Sequence, residues 1–529
     1  MNGKNLLAGL LGVAMVLGLG NSVVAQSETP QRGGTAIFTL PQDPGSINPD
    51  TTTNVPDRML GCLFYQGMVH ISLDYEVKPL LAKSWTVSAD GLTYTFDLVE
   101  AQWSDGQPLT AEDVKYTISE VSSKLSAVFA SAGRAIDSIE TPSKSRVVIK
   151  LKQPFGPFLI ALSCYTGGAI LPAHIFRGTD ALRNPASLDK PVGTGAFTLA
   201  EWKRGDYAKM AKNPKYWEPG KPYLDNLIGK VITSPAARLQ ALRGGEVDIV
   251  QFFPSSAVPA VREDAKLKIE VSSLSPQTSQ IFLNMDHKPL DDKRVRQALM
   301  MATDRDYLFK NTFFEIGVVA TAPFSPQIVW SVNPDIDYRK MYPFDIARAN
   351  ALLDEAGVKR GPDGKRFTVR AVLFANQFTE FHQVTQALKG WWQQVGVEVI
   401  LETLEDATVM KRVFQDRDFD LNMLANSSQS DPALGLARLY TIPSIGRPFG
   451  NPSGYRNPQT DALFEKGETA TTYAQRAPFY RQVQAILAED MPVLHLRHFI
   501  EVDGASKKLH GLWGKIQGNG LWSEAWIEK

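Results

Sequence analysis

Segments with the two-residue period of a strand alternate with capped helical segments along this chain, and no tract of linker composition separates them. Residues 91–100, GLTYTFDLVE, set Leu92, Tyr94, Phe96 and Leu98 against Thr93, Thr95 and Asp97, which predicts a half-buried strand. Val147, Ile149 and Leu151 repeat the pattern. Between them Thr110 stands three residues before Asp113 at the head of an apolar run, so its hydroxyl caps a helix while the acid favours the positive helix end. Residues 345–356 predict a helix stopped by Gly357, and Arg476 to Leu487 a second one ending before Pro492. A sheet-based α/β architecture follows. Turn signals such as Asn213-Pro214 and Pro219-Gly220 are spread evenly, which suits domains assembled from non-contiguous segments. At 529 residues there must be several.

Lys and Arg total 56, as do Asp and Glu. That balance argues against a nucleic-acid or acidic-membrane binder, which needs a clustered basic excess. With 43% hydrophobic and 10% aromatic residues the chain is not disordered. Met1 to Ala25 carries Lys4, an apolar run from Leu6 to Leu19, and Val23-Val24-Ala25, the layout of a secretory signal cut after Ala25. The run is shorter than the roughly 18 residues of a membrane span and is broken by glycines. No cysteine follows the cut, so no lipid anchor is expected, and losing Lys4 leaves 55 basic against 56 acidic side chains. An extracytoplasmic location permits a disulfide between Cys62 and Cys164, but both sit in apolar company, and buried free thiols are the expectation.

Catalytic motifs are missing. There is no Gly-x-Ser-x-Gly elbow, no His-Glu-x-x-His, no Walker loop, and Gly193-Thr194-Gly195 lacks the third glycine of a dinucleotide fingerprint. His495 and His498 fall in a predicted strand from Val493 to Val502, where residues three apart face opposite sides, so no joint metal site is expected. Asp291-Asp292 and Glu112-Asp113 lie at helix starts beside Lys, as solvated caps do. Ten tryptophans without a catalytic motif fit a binder of carbohydrate, peptide or another small ligand, with no cofactor and no metal.

A series of motifs then appears in order. It runs through Leu80-Leu81-Ala82-Lys83-Ser84-Trp85, Asp90-Gly91-Leu92-Thr93-Tyr94-Thr95-Phe96, Trp103-Ser104-Asp105-Gly106-Gln107-Pro108-Leu109-Thr110-Ala111-Glu112-Asp113-Val114, Pro191-Val192-Gly193-Thr194-Gly195-Ala196-Phe197, Asn213-Pro214-Lys215-Tyr216-Trp217 and Asp291-Asp292-Lys293-Arg294-Val295-Arg296. The chain resembles the family 5 extracellular solute-binding proteins, the oligopeptide, dipeptide and nickel-binding components of ABC importers, over essentially everything after the signal. The resemblance implies a two-lobed periplasmic-binding-protein fold with a hinge. Lobe I would comprise 33–69, 190–272 and 491–529, an inserted subdomain 70–189, and lobe II 273–490. It further implies a periplasmic monomer that closes around a peptide or other small solute and presents it to permease subunits with cytoplasmic ATPases.

At the position where peptide-binding members carry an aspartate for the ligand's ammonium, four residues before the proline of an acidic-Pro pair, this chain has Ser428. A serine cannot neutralise an ammonium, and a buried unpaired charge is costly. Either Asp431 takes over, the ammonium is held elsewhere, or the ligand has none. The polar run Asn426-Ser427-Ser428-Gln429-Ser430-Asp431, with Tyr440 beyond it, is the candidate cleft segment, its alternative a solvated loop; Asn284 is a second candidate. Three readings stay open: a peptide-binding subunit, the same fold holding an opine, oligosaccharide or metal chelate, and a secreted hydrolase, against which the missing nucleophile and metal motifs count.

Overall fold

Three sheets organise the chain in the computed structural model, which describes residues 29–529 except 53, 73–74, 127, 252, 254, 272–275, 376–379, 448, 500–501 and 513–521. The expected signal segment lies outside the described residues. The first sheet has seven strands in the order Leu267–Val271, Val502–Ser506, Ile249–Val250, Thr35–Leu40, Asn226–Val231, Tyr207–Lys212 and Phe197–Lys203. The second has six, in the order Val318–Val319, Val493–Phe499, Gln277–Leu283, Leu421–Ser427, Phe367–Phe374 and Val397–Leu404. The third is a four-stranded antiparallel sheet of Ala82–Val87, Thr93–Leu98, Arg146–Leu151 and Ile136–Ser143, inserted between two strands of the first.

Local sequence explains these elements. Tyr94, Phe96 and Leu98 are buried while Thr93, Thr95 and Asp97 are half-buried, as the alternation predicts. Asp113 accepts from the Thr110 backbone N–H at 2.8 Å and from its hydroxyl at 3.0 Å, starting the helix Ala111–Tyr116. Asp345 caps Ile346–Glu355, and Gly357 follows it at φ +79°. The second predicted helix is longer, Tyr473–Asp490, opened by a Thr472/Gln475 capping box and closed by Met491 in the left-handed region. Trp202 and Trp217 pack against the cores of lobe I and the insert, and their indole N–H groups donate to Asp43 and Gln66.

Two sequence expectations need correction. Cys62 and Cys164 are joined by a disulfide. Their apolar surroundings suggested inert thiols, but the helix Val55–Phe64 is brought against the turn at 164–166 with a Cα separation of 6.0 Å, within bridging distance. The second correction concerns the return to lobe I, expected at 491. The strand Val493–Phe499 is buried along its whole length and pairs with Gln277–Leu283, so it belongs to the second sheet. The strand expected over Val493 to Val502 is therefore two, Val493–Phe499 and Val502–Ser506, in different sheets.

The chain thus passes between the first and second sheets twice, after Val271 and after Phe499. Val271 is paired with Val502 on one side of the crossing, and Gln277 with Phe499 on the other. No described helix is long and apolar enough to cross a membrane.

Candidate functional site

The strand Leu421–Ser427 sits near the centre of the second sheet, and Asn426 and Ser427 are at its carboxyl end. Ligands of open α/β sheets bind beyond such ends. Asn426 lies opposite Thr278 and Ser427 opposite Gln277. Ser428 continues the pairing, its N–H and hydroxyl donating to the Pro276 carbonyl at 2.9 and 3.2 Å. Gln429 and Ser430 then adopt φ of +49° and +67°, and Ser427 Oγ accepts from the Gln429 N–H at 2.9 Å. Asp431 ends the turn by capping the short helix Pro432–Gly435, accepting from the Ala433 N–H. Gly435 rests on the turn so closely that a Cβ would lie 2.2 Å from the Ser428 carbonyl carbon. The result is a rigid polar ledge on which Ser427 and Gln429 remain half-buried and the other members are buried.

Asp431 is spoken for inside the protein. Both its oxygens accept from the Arg476 guanidinium at 2.6 Å, with both side chains fully buried. Arg476 also donates to the Gly467 carbonyl and the Tyr480 hydroxyl and lies 4.9 Å from the Trp330 ring centre. Burial alone would lower the guanidinium pKa; the Asp431 carboxylate outweighs it and the net shift is upward.

Behind the ledge runs a buried hydrogen-bonded chain. Asn426 Nδ2 donates to Gln280 Oε1 at 2.9 Å, and Gln280 Nε2 donates to the Tyr440 hydroxyl at 3.3 Å. That hydroxyl is 2.9 Å from His495 Nε2, and His495 Nδ1 is 3.5 Å from the Tyr338 hydroxyl. Tyr440 accepts from Gln280 and shares its other hydroxyl position with His495 Nε2, the direction of that bond following the His495 tautomer. At the outer end Asn426 Oδ1 accepts from Arg438 Nη2 at 3.2 Å, and Arg438 Nη1 donates to the Phe449 carbonyl.

His498 is also buried, with Nε2 3.0 Å from the Ala322 carbonyl and Nδ1 2.9 Å from the Thr278 hydroxyl, opposite Asn426 in register. Burial pulls its pKa down from 6.5 to about 4, the Ala322 bond opposing. Above pH 6.5 the folded and unfolded forms are both neutral here. Below it the unfolded chain takes up a proton that the fold refuses, so stability is lost as pH falls toward 4. Denaturant midpoints of the wild type and His498→Gln at pH 7, 6 and 5 should show the wild type's advantage shrinking slowly from pH 7 to 6 and then more steeply, toward a limit of about 1.4 kcal/mol per pH unit; parallel pH profiles would refute it.

The structure gathers Asn426, Ser427, Ser428, Asp431 and Tyr440, but not Asn284. That residue follows Leu283 at the opposite end of the paired strand, about 20 Å along the sheet. Its side chain is buried and consumed, donating to the Arg417 and Phe419 carbonyls and accepting from Arg417 Nη2 and the Asp286 N–H. Asn284 is therefore a loop anchor rather than part of the ledge. Sequence reading missed Gln280 and Arg438. Gln280 is the last of four polar residues opening the strand Gln277–Leu283, so nothing in the sequence singled it out, and nothing singled out Arg438.

Residues flanking the ledge meet the rest of the chain on two sides. Ala425 packs on a cluster that joins Val250 and Phe253 of the first lobe to Ile316 and Phe499 of the second, and Leu434 packs on Ile71, Tyr75 and Ile160 of the insert. Two sheet-based lobes, linked by two crossings and meeting along a polar ledge, define a two-lobed solute-binding protein. The model of bacterial extracellular solute-binding proteins, family 5 Middle, matches residues 76–445, and the chain belongs to that family. It is 27% identical over 514 residues to the glutathione-binding protein GsiB of Escherichia coli O1:K1 / APEC, covering 95% of each chain. Its fold is similar to that of the oligopeptide-binding protein AppA from Bacillus subtilis in complex with a nonapeptide, with a TM-score of 0.75, 26% identity, and coverage of 95% of this chain and 100% of that one. It also matches NikA from Brucella suis in complex with Fe(III)-EDTA, with a TM-score of 0.81, 24% identity, and coverage of 94% and 100%. The family is one of solute binders, not of enzymes.

Proposed function

We propose that this protein captures di- or oligopeptides between its lobes and delivers them to the permease subunits of an ABC importer driven by cytoplasmic ATPases. It works as a monomer in the periplasm after removal of residues 1–25. Lobe I is 33–69, 190–271 and 502–529, the insert 70–189, and lobe II 277–499. The similarity over nearly the full chain to a nonapeptide-bound protein and to a glutathione-binding one supports the ligand class. The ledge carries the reading. Beyond Ser427 a strand ends beside a cluster shared by the two lobes and against the insert, with half-buried Ser427 and Gln429 side chains, and an extended peptide can pair there along its backbone while its side chains stay unread. Closure around the ligand needs only that contacts to both lobes favour the closed state.

One observation favours a second reading, in which the solute is an opine, oligosaccharide or metal chelate. Ser428 carries no charge and the Asp431 charge is taken by Arg476, so the ledge has no free carboxylate for an ammonium. Native mass spectrometry of freshly purified protein, followed by thermal-shift screening, separates the two, because a ligand at a hundred times its Kd stabilises the fold by about 2.7 kcal/mol. The peptide reading fails if no di- or oligopeptide raises Tm while an opine or oligosaccharide does.

A further inference from the structure

We infer that Arg438 is the anion-recognition residue of the cleft, and that the captured solute places a carboxylate against it at the Asn426 end of the ledge. The inference rests on the interlobe reading of that ledge.

The other arginines inside the second lobe are fully engaged. Arg476, Arg497 and Arg417 are paired with Asp431, Glu380 and Asp286. Arg296 and Arg305 each donate to three or more backbone carbonyls. Arg438 differs. It is half-buried, yet among the described residues its acceptors are two neutral oxygens, Asn426 Oδ1 and the Phe449 carbonyl, and no described carboxylate pairs with it. A guanidinium has five N–H groups in a planar fork, so an edge of Arg438 has no acceptor among the described residues. A half-buried cation in that condition is open to an anion, and a carboxylate meets it with two parallel hydrogen bonds. Burial lowers its pKa only to about 10, which leaves it charged at neutral pH.

Its placement agrees. Arg438 follows Leu434, which touches the insert, and bonds to Asn426, whose neighbour Ala425 packs on the cluster shared by the two lobes. Asn426 acts as its positioning residue, since one side-chain atom holds Arg438 while the other is tied to Gln280, Tyr440 and His495. The ledge thus offers a cation and no free carboxylate, a polarity suited to the acidic end of a solute.

Isothermal titration with trialanine, its C-terminal amide, glutathione and octopine tests this. We expect the wild type to bind the trialanine acid about tenfold or more tighter than the amide. Arg438→Gln should remove that preference by weakening the acid about tenfold while leaving the amide unchanged. Asn426→Asp, which supplies Arg438 with a carboxylate from inside, should do the same and covers the case in which Arg438→Gln does not fold. Equal binding of acid and amide by the wild type, or a preference that survives both variants, overturns the inference while the peptide reading stands. If only octopine binds and Arg438→Gln weakens it, the peptide reading falls and the inference holds. If none of the four binds, both fall.

Discussion

Asp431→Leu should lower the unfolding free energy by about 3–5 kcal/mol without any ligand present, because it strands the Arg476 cation at a fully buried position. The two side chains have no exposed surface, and both Asp431 oxygens are engaged at 2.6 Å. The loss also removes the cap of the helix Pro432–Gly435. The double variant Asp431→Leu/Arg476→Met should recover much of the stability, since an apolar pair of similar volume escapes the desolvation cost of two ions. Urea midpoints of the two single variants and the double one give the coupling directly; additive losses would show that the pair is not the unit it is taken to be.

The second large effect is expected at the disulfide. Cys62 and Cys164 are separated by 102 residues, and the closed loop contains the whole four-stranded sheet. Restricting an unfolded loop of about 100 residues stabilises the fold by about 4.7 kcal/mol in the chain-entropy model. Cys62→Ser/Cys164→Ser should therefore lower the urea midpoint sharply, and reductant should shift the wild type toward the variant but leave the variant unmoved. A reductant-insensitive midpoint in both would mean that the bridge contributes nothing.

Where structure is set by neighbours in the chain, the sequence was a reliable guide. Tyr94, Phe96 and Leu98 announced their strand because burial alternates with the pleat, and Thr110 with Asp113 announced a helix start because both ends of the capping box lie within four residues. What needs distant segments stayed hidden. Nothing near Asp431 indicates that Arg476, 45 residues on, will consume its charge. The apolar company of Cys62 and Cys164 reports burial, not separation, so it could not reveal a bridge. Val493–Phe499 looks the same on paper in either sheet, and only its pairing with Gln277–Leu283 assigns it. The ledge was legible as a polar interruption between apolar segments, but its electrostatic character, an Arg438 held by neutral oxygens and an Asp431 neutralised by Arg476, depends on which partners arrive from elsewhere.

The two crossings between the sheets leave the first as adjacent paired strands and enter the second as adjacent paired strands, Val271 with Val502 and Gln277 with Phe499. Because these pairs stand side by side on both sheets, the ends of the two crossings are fixed to one another at each side. A movement of one sheet relative to the other must therefore be accommodated at both crossings together, since sliding one flanking strand past its neighbour would break cross-strand pairs.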